Sequence, residues 1–583
     1  MRTASIALIA ALLACAGSRK EEAGAQPSAA AKAAGGAPLA EAPQQSGAAA
    51  SPGAQQPGTP AAPVAQQATP GAQQAGKETP DAAGQKSVGA AATGTAPAAQ
   101  SAQGSTSTAS AAPLMPDEPF RAEQPKPLAV QPHFQAPVPV QKRLRNGARV
   151  LIVENHQIPL VAIEVRLLHG VDADPRDKPG LAEFVADAVD EGTRSRSAEK
   201  LAEEIEDLAA HVSAGAGLET SSVHLNCLTE TLPKALDLLA DVVQNPAFRK
   251  EDVERVRVLK LTQLEQKKAS IGALAGDEAA RILYGDKHPW GQPSGGTPQS
   301  VGSISPEDLA GFHSAFWVPN DAIISVSGDV SAAEIVRLLD DKFAGWKAKP
   351  IPRLALPPLP RLSRRSVDAM DKANATQSQV WVVGRLFKAT HPDAIPLRVA
   401  NMVLGGLFTS RLNMNLREKH GYSYGVRSGV SLMRGTGTFT ASGGVIAKNT
   451  VEAVAGYESE LKRFATGEVT ASELASSKEA LIRGLPSALE TNDAVANALG
   501  NIAALGLPLD YYRTVPGRIA EVGLEAVRRV VTTWVKPEKW PIVIVGPVAQ
   551  SEPALKKLGL GPVTLVAAPG ATPGKPAPPS GAH

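Results

Sequence analysis

Two acidic residues at helical spacing are the first candidates for chemistry in this sequence. The stretch GLAEFVADAVDEGT, residues 180–193, is predicted to open a helix, which places Glu183 and Asp187 one turn apart on the same face. This arrangement has the frame of a metal-binding motif but lacks the metal ligands. Carboxylates could hold a hard cation weakly, whereas neighbouring acids on a helix more often form a solvated surface.

The histidines predict no second catalytic cluster. All ten are scattered singly, and only His169 stands near several acids, Asp172, Asp174 and Asp177, where a polar loop is a better explanation than a metal site. The sequence also has no glycine-rich phosphate loop and no serine-nucleophile elbow in a suitable context. No replacement chemistry is therefore predicted.

The elements that must position these residues are repeated along the chain. FWVPNDAIISVSGDV, which starts at Phe316, recurs as TWVKPEKWPIVIVGPV, which starts at Thr533, with an offset of about 217 residues. Alternating β-branched residues predict strands, and apolar residues at helical spacing predict amphipathic helices. Capping signals at Ser305 and Thr470 mark two helix starts. The chain is therefore predicted to contain two homologous halves.

The predicted fold is α+β, and each half is a sandwich of a mainly antiparallel sheet with helices packed on one face. The predicted folded domains are residues 136–346 and residues 367–548, joined by a proline-rich linker at residues 347–366. Residues 549–583 are predicted to be a disordered tail.

The N-terminal segment predicts a lipoprotein. Residues 1–15, MRTASIALIAALLAC, have a basic start, a short apolar run and an ending at Cys15 that resembles a bacterial lipobox. An ordinary secretory signal is the alternative. Residues 16–135 are rich in alanine, glutamine, proline and glycine and are predicted to be a disordered tether. We therefore expect a lipid-anchored protein of the bacterial cell envelope, at the outer membrane and facing the periplasm.

Charge and cysteine content exclude two further features. Lys+Arg 59 against Asp+Glu 57 gives a net charge of +2, which provides no field for binding nucleic acid. Cys227 lies in a predicted strand without a cysteine partner, so a small buried core residue is expected and a structural disulfide is not.

The surroundings of the empty frame resemble those of the pitrilysin/insulinase family of zinc peptidases, which includes bacterial homologues of the mitochondrial processing peptidase. LLHGVDADPRDKPGLA leads into the helix, YGDKHPWGQPSGG follows later, and the resemblance extends from about Gln141 to Val548. His288 in this second stretch resembles the family's structural loop.

In that family an H-x-x-E-H helix supplies two histidines as zinc ligands and a glutamate as the base for the bound water. At the corresponding positions this chain has Glu183 and Asp187 for the histidines, Ala186 for the base and about Gln263 for a later carboxylate ligand. Because the histidine ligands are missing, the resemblance implies that the chain binds no zinc. Because a methyl group cannot take a proton from water, it also implies that the chain does not hydrolyse peptides alone.

The second half, unlike the first, matches the family at its functional positions. The family's second half supplies an arginine and, seven residues later, a tyrosine that face the zinc across a cavity, and Arg417 and Tyr424 have this spacing in SRLNMNLREKHGYSYGVRSG. Such donors stabilise the negative charge that develops on a scissile carbonyl oxygen. From the residues alone, an Arg417–Glu418 ion pair and a strand aromatic at Tyr424 fit as well.

Gly405 and Gly406 precede this stretch, where the family places a flexible loop over the substrate. The resemblance therefore implies substrate binding by these residues, although a glycine pair also simply ends a helix.

The resemblance implies a metal-free subunit that is inactive alone and active only in a heteromeric zinc peptidase. Its partner would be a zinc-bearing H-x-x-E-H paralogue, and the pair would enclose an unfolded peptide and align its backbone by addition to an edge strand. The alternatives are a structural or scaffolding lipoprotein that binds peptides or partners without hydrolysis, and a lone protease with a divergent site. Arg417 and Tyr424 favour the first interpretation, because a scaffold has no need of both.

Overall fold

The computed structural model describes residues 134–568. The predicted signal peptide, Cys15, residues 16–133 of the predicted tether and residues 569–583 lie outside this range. In the described range, every helix is too short or too polar to cross a bilayer.

The first half forms a six-stranded sheet with helices, within the described residues. Its strands are β1 (Val140–Arg143), β2 (Arg149–Glu154), β3 (Leu160–Leu167), β4 (His211–Ala216), β5 (Ser221–Leu228) and β6 (Ala322–Gly328). Its α-helices are α1 (Leu181–Ala188), α2 (Ala198–Asp207), α3 (Leu232–Gln244), α4 (Lys250–Lys267), α5 (Ile271–Tyr284), α6 (Pro298–Ser303), α7 (Pro306–Phe316) and α8 (Ala332–Lys342).

The second half repeats this composition. Its strands are β7 (Val367–Asp371), β8 (Gln377–Leu386), β9 (Arg427–Leu432), β10 (Gly437–Ile446), β11 (Ile542–Gly546) and β12 (Val563–Val566). Its α-helices are α9 (Ala394–Asn401), α10 (Arg411–Asn413), α11 (Thr450–Ala465), α12 (Ala471–Ala488), α13 (Asn492–Ala504), α14 (Tyr511–Ala520), α15 (Leu524–Trp534) and α16 (Glu552–Lys557). Two π-helical turns, Met402–Gly406 and Met414–Lys419, follow α9 and α10.

The two sheets share one strand order, which confirms the predicted halves. The first is ordered β1-β2-β6-β3-β5-β4 and the second β12-β7-β11-β8-β10-β9. In the first sheet only β2 and β6 pair in parallel, whereas in the second β7 pairs in parallel with both β11 and β12. Both sheets are therefore mainly antiparallel, as predicted. The predicted helix starts are also confirmed, because Ser305 and Thr470 both form capping boxes.

The pattern of buried residues along each strand depends on which faces of the sheet are covered. In β5 every second residue is buried, including Val223, Leu225 and Cys227, which point into the core of the first half. In β6 every residue is buried, because α13 packs on the strand and Ile324 and Val326 belong to the core of the first half. The thiol of Cys227 has no disulfide partner among the described residues, and burial raises its pKa to about 12.

Each sheet receives one helix from the opposite half, a feature that the sequence did not predict. Helix α5 of the first half packs on β8 and β11, and α13 of the second half packs on β3 and β6. The α5 contact is apolar and includes Leu283 and Val543, whereas the α13 contact also places Gly500 against the buried carboxylate of Glu164. This exchange of helices holds the two halves together.

The predicted disordered tail is wrong for residues 549–568. Helix α16 buries Leu555 in the core of the second half, and β12 adds to the edge of its sheet beside β7. In the first half the corresponding edge position is filled by β1, which precedes β2 in the chain. The segment before β7 is the proline-rich stretch at residues 347–366, which forms no strand, so the C-terminal segment fills this edge instead.

Candidate functional site

Helix α1 carries the positions of the empty metal frame, and a loop carboxylate fixes where the helix begins. Gly180 precedes α1 with a φ of 91°, in the left-handed region that favours glycine. Asp174 accepts hydrogen bonds from the backbone N–H groups of Gly180 at 2.8 Å and Ala182 at 2.7 Å. These contacts satisfy two donors at the helix N-terminus, where a carboxylate is favoured by the helix dipole.

The two acids of the frame have different surroundings. Glu183 is partly buried, and its Oε1 accepts a hydrogen bond from the backbone N–H of Gly295 at 3.2 Å. Burial raises the pKa of Glu183, while Lys260 and this hydrogen bond oppose the shift. The side chain of Asp187 is 43% exposed and forms an ion pair with Lys260, with an Nζ–Oδ2 distance of 2.6 Å. Ala186 is buried in the first half.

Lys260 of α4, rather than Gln263, is the α4 residue that contacts this frame. The side chain of Gln263 is exposed, whereas Lys260 is 5% exposed and points toward α1. Its Nζ also lies 5.7 Å from the centre of the Phe184 ring. Sequence reasoning missed Lys260, because only the packing of α4 on α1 reveals which face of α4 is turned inward.

The residues of the frame do not fit a zinc ion. A lysine ammonium at 2.6 Å from Asp187 supplies the positive charge that a metal would otherwise supply to the carboxylates. Neither histidine nor cysteine is present at the ligand positions, and the described residues contain no group of metal-ligating side chains suited to a metal ion. The methyl group of Ala186 provides no base.

The other acidic cluster of the sequence is divided among three roles. Asp174 caps α1, Asp177 is exposed, and His169 lies between Asp172 and Asp321, at 3.5 Å from each carboxylate. Arg434 of the second half reaches Asp172 at 3.4 Å. Of the cluster, only His169 and Asp172 thus take part in an ionic junction between the halves.

The ring of His288 is buried, and its Nδ1 accepts a hydrogen bond from the backbone N–H of Trp290 at 3.2 Å, which agrees with a structural loop.

Arg417 lies in the π-helical turn Met414–Lys419 and points to the surface. Its side chain is 39% exposed, and its Nε lies 3.2 Å from Oε1 of Glu418. Its guanidinium carbon stands 4.6 Å from the centre of the Phe408 ring, a cation–π contact. The sequence left an Arg417–Glu418 pair open as the alternative to a catalytic role, and the structure contains this pair. A surface pair of this kind is weak and leaves the guanidinium free to exchange partners.

Among the described residues, Tyr424 is the most exposed of the large hydrophobic residues, at 84%, although its backbone is held on both sides. Ser423 pairs with Val445, and its hydroxyl donates to the carbonyl of Gly444 at 2.6 Å. On the other side, the N–H of Val426 donates to Oδ1 of Asn413 at 3.2 Å. A phenol held on a fixed backbone and directed into solvent is suited to contact another molecule.

Gly405 and Gly406 end a π-helical turn, so the predicted flexible loop is wrong at these positions. A Cβ on Gly405 would lie 2.3 Å from the backbone nitrogen of Ser428, and one on Gly406 would lie 2.5 Å from Sδ of Met402. Glycine at position 405 therefore allows the turn to pack closely against β9. The loop begins after Gly406, and substrate binding by the two glycines stays a prediction.

Two family models and several known proteins match the chain. Residues 149–278 match the family model described as insulinase (peptidase family M16), and residues 303–481 match the model described as peptidase M16 inactive domain. The chain is 24% identical over 386 residues to the uncharacterized zinc protease YmxG of Bacillus subtilis, which covers 66% of this chain and 92% of that protein. It is 25% identical over 390 residues to the non-peptidase homolog YmxG of Helicobacter pylori, covering 66% of this chain and 88% of that one.

Solved structures share the fold. A peptidase M16 inactive domain from Pseudomonas fluorescens aligns with a TM-score of 0.66 and 24% identity, covering 70% of this chain and 98% of that one. A protease from Helicobacter pylori aligns with a TM-score of 0.64 and 18% identity, covering 70% of this chain and all of that one, 100%.

Proposed function

Because the chain belongs to the insulinase (M16) family of peptidases, we propose that it is the metal-free subunit of a two-chain zinc peptidase. In this proposal Arg417 and Tyr424 complete the active site of a zinc-bearing H-x-x-E-H paralogue. The observation that carries it is the pairing of an empty frame in the first half with two exposed hydrogen-bond donors on a fixed segment of the second half.

The first half cannot supply the reaction. Lys260 neutralises Asp187, and Ala186 cannot accept a proton. Without zinc ligands and a base, this chain can use Arg417 and Tyr424 in catalysis only if another subunit supplies the zinc site and presents the reacting carbonyl. The name non-peptidase homolog, borne by the Helicobacter pylori relative, is consistent with this division of labour.

The proposed chemistry of the pair is electrostatic. When water adds to the scissile carbonyl, negative charge develops on its oxygen, and a guanidinium and a phenol aimed at that oxygen stabilise the charge. Arg417 is permanently charged and Tyr424 donates as a neutral hydroxyl, so neither needs a change in its protonation state. Arg417 must leave Glu418 to reach the substrate, and since both side chains are about 40% exposed, this exchange costs about 1 kcal/mol or less.

The test is peptide hydrolysis by the chain reconstituted with the H-x-x-E-H paralogue of the same organism. Tyr424→Phe keeps the ring and removes only the hydroxyl, so we expect kcat to fall by about 10²-fold or more with little change in KM. Tyr422→Phe is the matched control, because Tyr422 is a nearby, partly buried tyrosine that stacks on His420. Complex formation is checked by size.

Metal content is measured on the same samples. The chain alone is expected to contain far less than one zinc per molecule and to hydrolyse no peptide. A Tyr424→Phe complex that assembles normally and keeps full kcat would show that the catalytic assignment is wrong. One tightly held zinc per chain, lost on Glu183→Ala, would overturn the metal-free assignment instead.

A peptide-binding scaffold is the second candidate, and one observation favours it. Strand β4 is the edge of the first sheet, and within the described residues its backbone forms hydrogen bonds to β5 only. At the corresponding edge of the second sheet, the carbonyl of Ser428 in β9 is already bound by Nδ2 of Asn401. An extended peptide could add to β4 without any hydrolysis. Peptide binding that is unaffected by the paralogue, together with full activity of the Tyr424→Phe complex, would favour this candidate.

A further inference from the structure

Arg417 and Tyr424 lie on different parts of one segment, so their joint action depends on what holds these parts together. Arg417 is in the turn Met414–Lys419, whereas Tyr424 lies beyond that turn, before β9. Glu418 contacts Arg417 but is its neighbour in the chain and moves with it. Glu418 therefore cannot set the direction of Arg417 relative to Tyr424.

Phe408 can set this direction, because it approaches Arg417 from an earlier part of the chain. The guanidinium carbon of Arg417 stands 4.6 Å from the centre of the Phe408 ring, within the range of a cation–π contact. Phe408 is 52% exposed, which is unusual for a phenylalanine. A side chain left in solvent with a cation on its face is better explained by that cation than by core packing.

Asn413 connects the backbone of Phe408 to the part of the chain that carries Tyr424. It is 3% exposed, and its Nδ2 donates to the carbonyl of Phe408 at 2.7 Å. Its Oδ1 accepts from the N–H of Val426 at 3.2 Å, two residues after Tyr424. One buried amide thus bonds to both flanking parts of the segment at once, and each bond uses a different end of the amide.

We propose that Phe408 and Asn413 are positioning residues for this pair: the Phe408 ring directs the Arg417 guanidinium, and the Asn413 amide fixes Phe408 relative to Tyr424. The proposal rests on the proposed function, in which Arg417 and Tyr424 act on one oxyanion. A donor pair stabilises a developing charge best when its geometry is fixed before the reaction, so loosening either connection lowers kcat without weakening substrate binding.

The first arm of the test uses the chain alone and needs no partner. Phenylglyoxal, which modifies accessible arginines, is applied, and the modification rate at Arg417 is read by mass spectrometry with exposed Arg427 as the internal reference. Phe408→Leu removes the aromatic face but keeps an apolar side chain, so the rate at Arg417 is expected to rise about two- to fivefold. The rate at Arg427 is expected to stay the same.

Two substitutions separate the two ends of the amide. Asn413→Asp keeps an acceptor for Val426 and loses the donor to Phe408, so it is expected to raise the modification rate at Arg417 while hydrogen exchange at the Val426 amide stays slow. Asn413→Leu loses both bonds, so exchange at Val426 is expected to accelerate about tenfold or more as well. Asn415→Leu is the matched control, because Asn415 lies in the turn Met414–Lys419 that carries Arg417 but bonds to Glu460.

The second arm measures kcat and KM in the reconstituted complex. Phe408→Leu is expected to lower kcat about threefold or more with KM unchanged, and this effect is expected to vanish in an Arg417→Ala background, since Phe408 acts only through Arg417. An equal loss in both backgrounds would contradict positioning, as would unchanged modification rates in the first arm. If the Tyr424→Phe complex keeps full kcat, the proposed function fails, and the first arm still decides whether Phe408 and Asn413 hold the segment.

Discussion

The ion pair between Asp187 and Lys260 predicts that substituting one partner lowers the stability of the protein more than substituting the other. A pair with both partners at the surface would show no such difference. The Lys260 side chain is 6% exposed and the Asp187 side chain is 43% exposed, with 2.6 Å between Nζ and Oδ2. Removing one partner costs stability mainly through the charge that is left behind. The two single substitutions should therefore have different costs.

Asp187→Asn removes the carboxylate that pairs with the buried ammonium, so the free energy of unfolding is expected to fall by about 3 kcal/mol. Lys260→Met leaves a carboxylate that is already partly hydrated, and the methionine fills the buried space without a desolvation penalty. Its cost is expected to be about 1 kcal/mol or less. The order of the two costs is thus set by the burial of the remaining group.

The assay is urea unfolding of the full chain, followed by tryptophan fluorescence and far-ultraviolet circular dichroism. Coincident transitions are required before free energies are compared, since the chain has two halves. Arg255→Met is a matched control on α4, because its ion pair with Glu191 at 2.6 Å leaves the arginine side chain 47% exposed. Equal costs for the two substitutions, or a larger cost for Lys260→Met, would refute the conclusion that Lys260 is the buried member that needs a counter-ion.

Three further outcomes are expected. Cys15→Ser is expected to release the protein into the soluble envelope fraction, because lipidation at Cys15 is proposed as the anchor, and a mutant that stays membrane-bound after a high-salt wash would contradict it. The Nε of Arg411 lies 2.6 Å from Oε1 of Glu473, and this guanidinium lowers the pKa of Glu473 to about 2. The ionised carboxylate therefore stabilises the fold above its unfolded pKa of about 4.5, and this contribution is lost as the pH falls toward 2. Glu473→Gln is therefore expected to cost about 2 kcal/mol at pH 7 and little at pH 2, measured by denaturant unfolding, and an equal cost at both values would exclude the pair as the cause. Deleting residues 549–583 removes α16 and β12 and is expected to cost about 2 kcal/mol or more, through Leu555 and the lost edge strand, whereas deleting residues 569–583 should leave the unfolding midpoint unchanged.

Local sequence patterns were sufficient to predict the two-half α+β architecture and the absence of metal ligands on α1. Periodicity and capping residues predicted the helices that begin after Ser305 and Thr470, because these signals act between residues three or four positions apart. The repeat predicted two halves of one topology, and the predicted family is confirmed. The absence of a base at Ala186 also follows from residue identity alone, since no fold gives a methyl group a proton affinity.

Tertiary structure decided the contacts between residues that are distant in the chain. The pairing of Asp187 with Lys260, 73 positions apart, depends on how α4 is rotated against α1, and α4 carries apolar residues on both faces, so its pattern did not indicate the buried side. The position of β12 depends on an edge left open by a proline-rich linker, and a short strand with mixed exposure carries little periodicity of its own. The contact of Arg417 with Phe408 likewise arises from a fold of the chain around Asn413, because a hydrogen bond across a segment leaves no trace in the spacing of its residues.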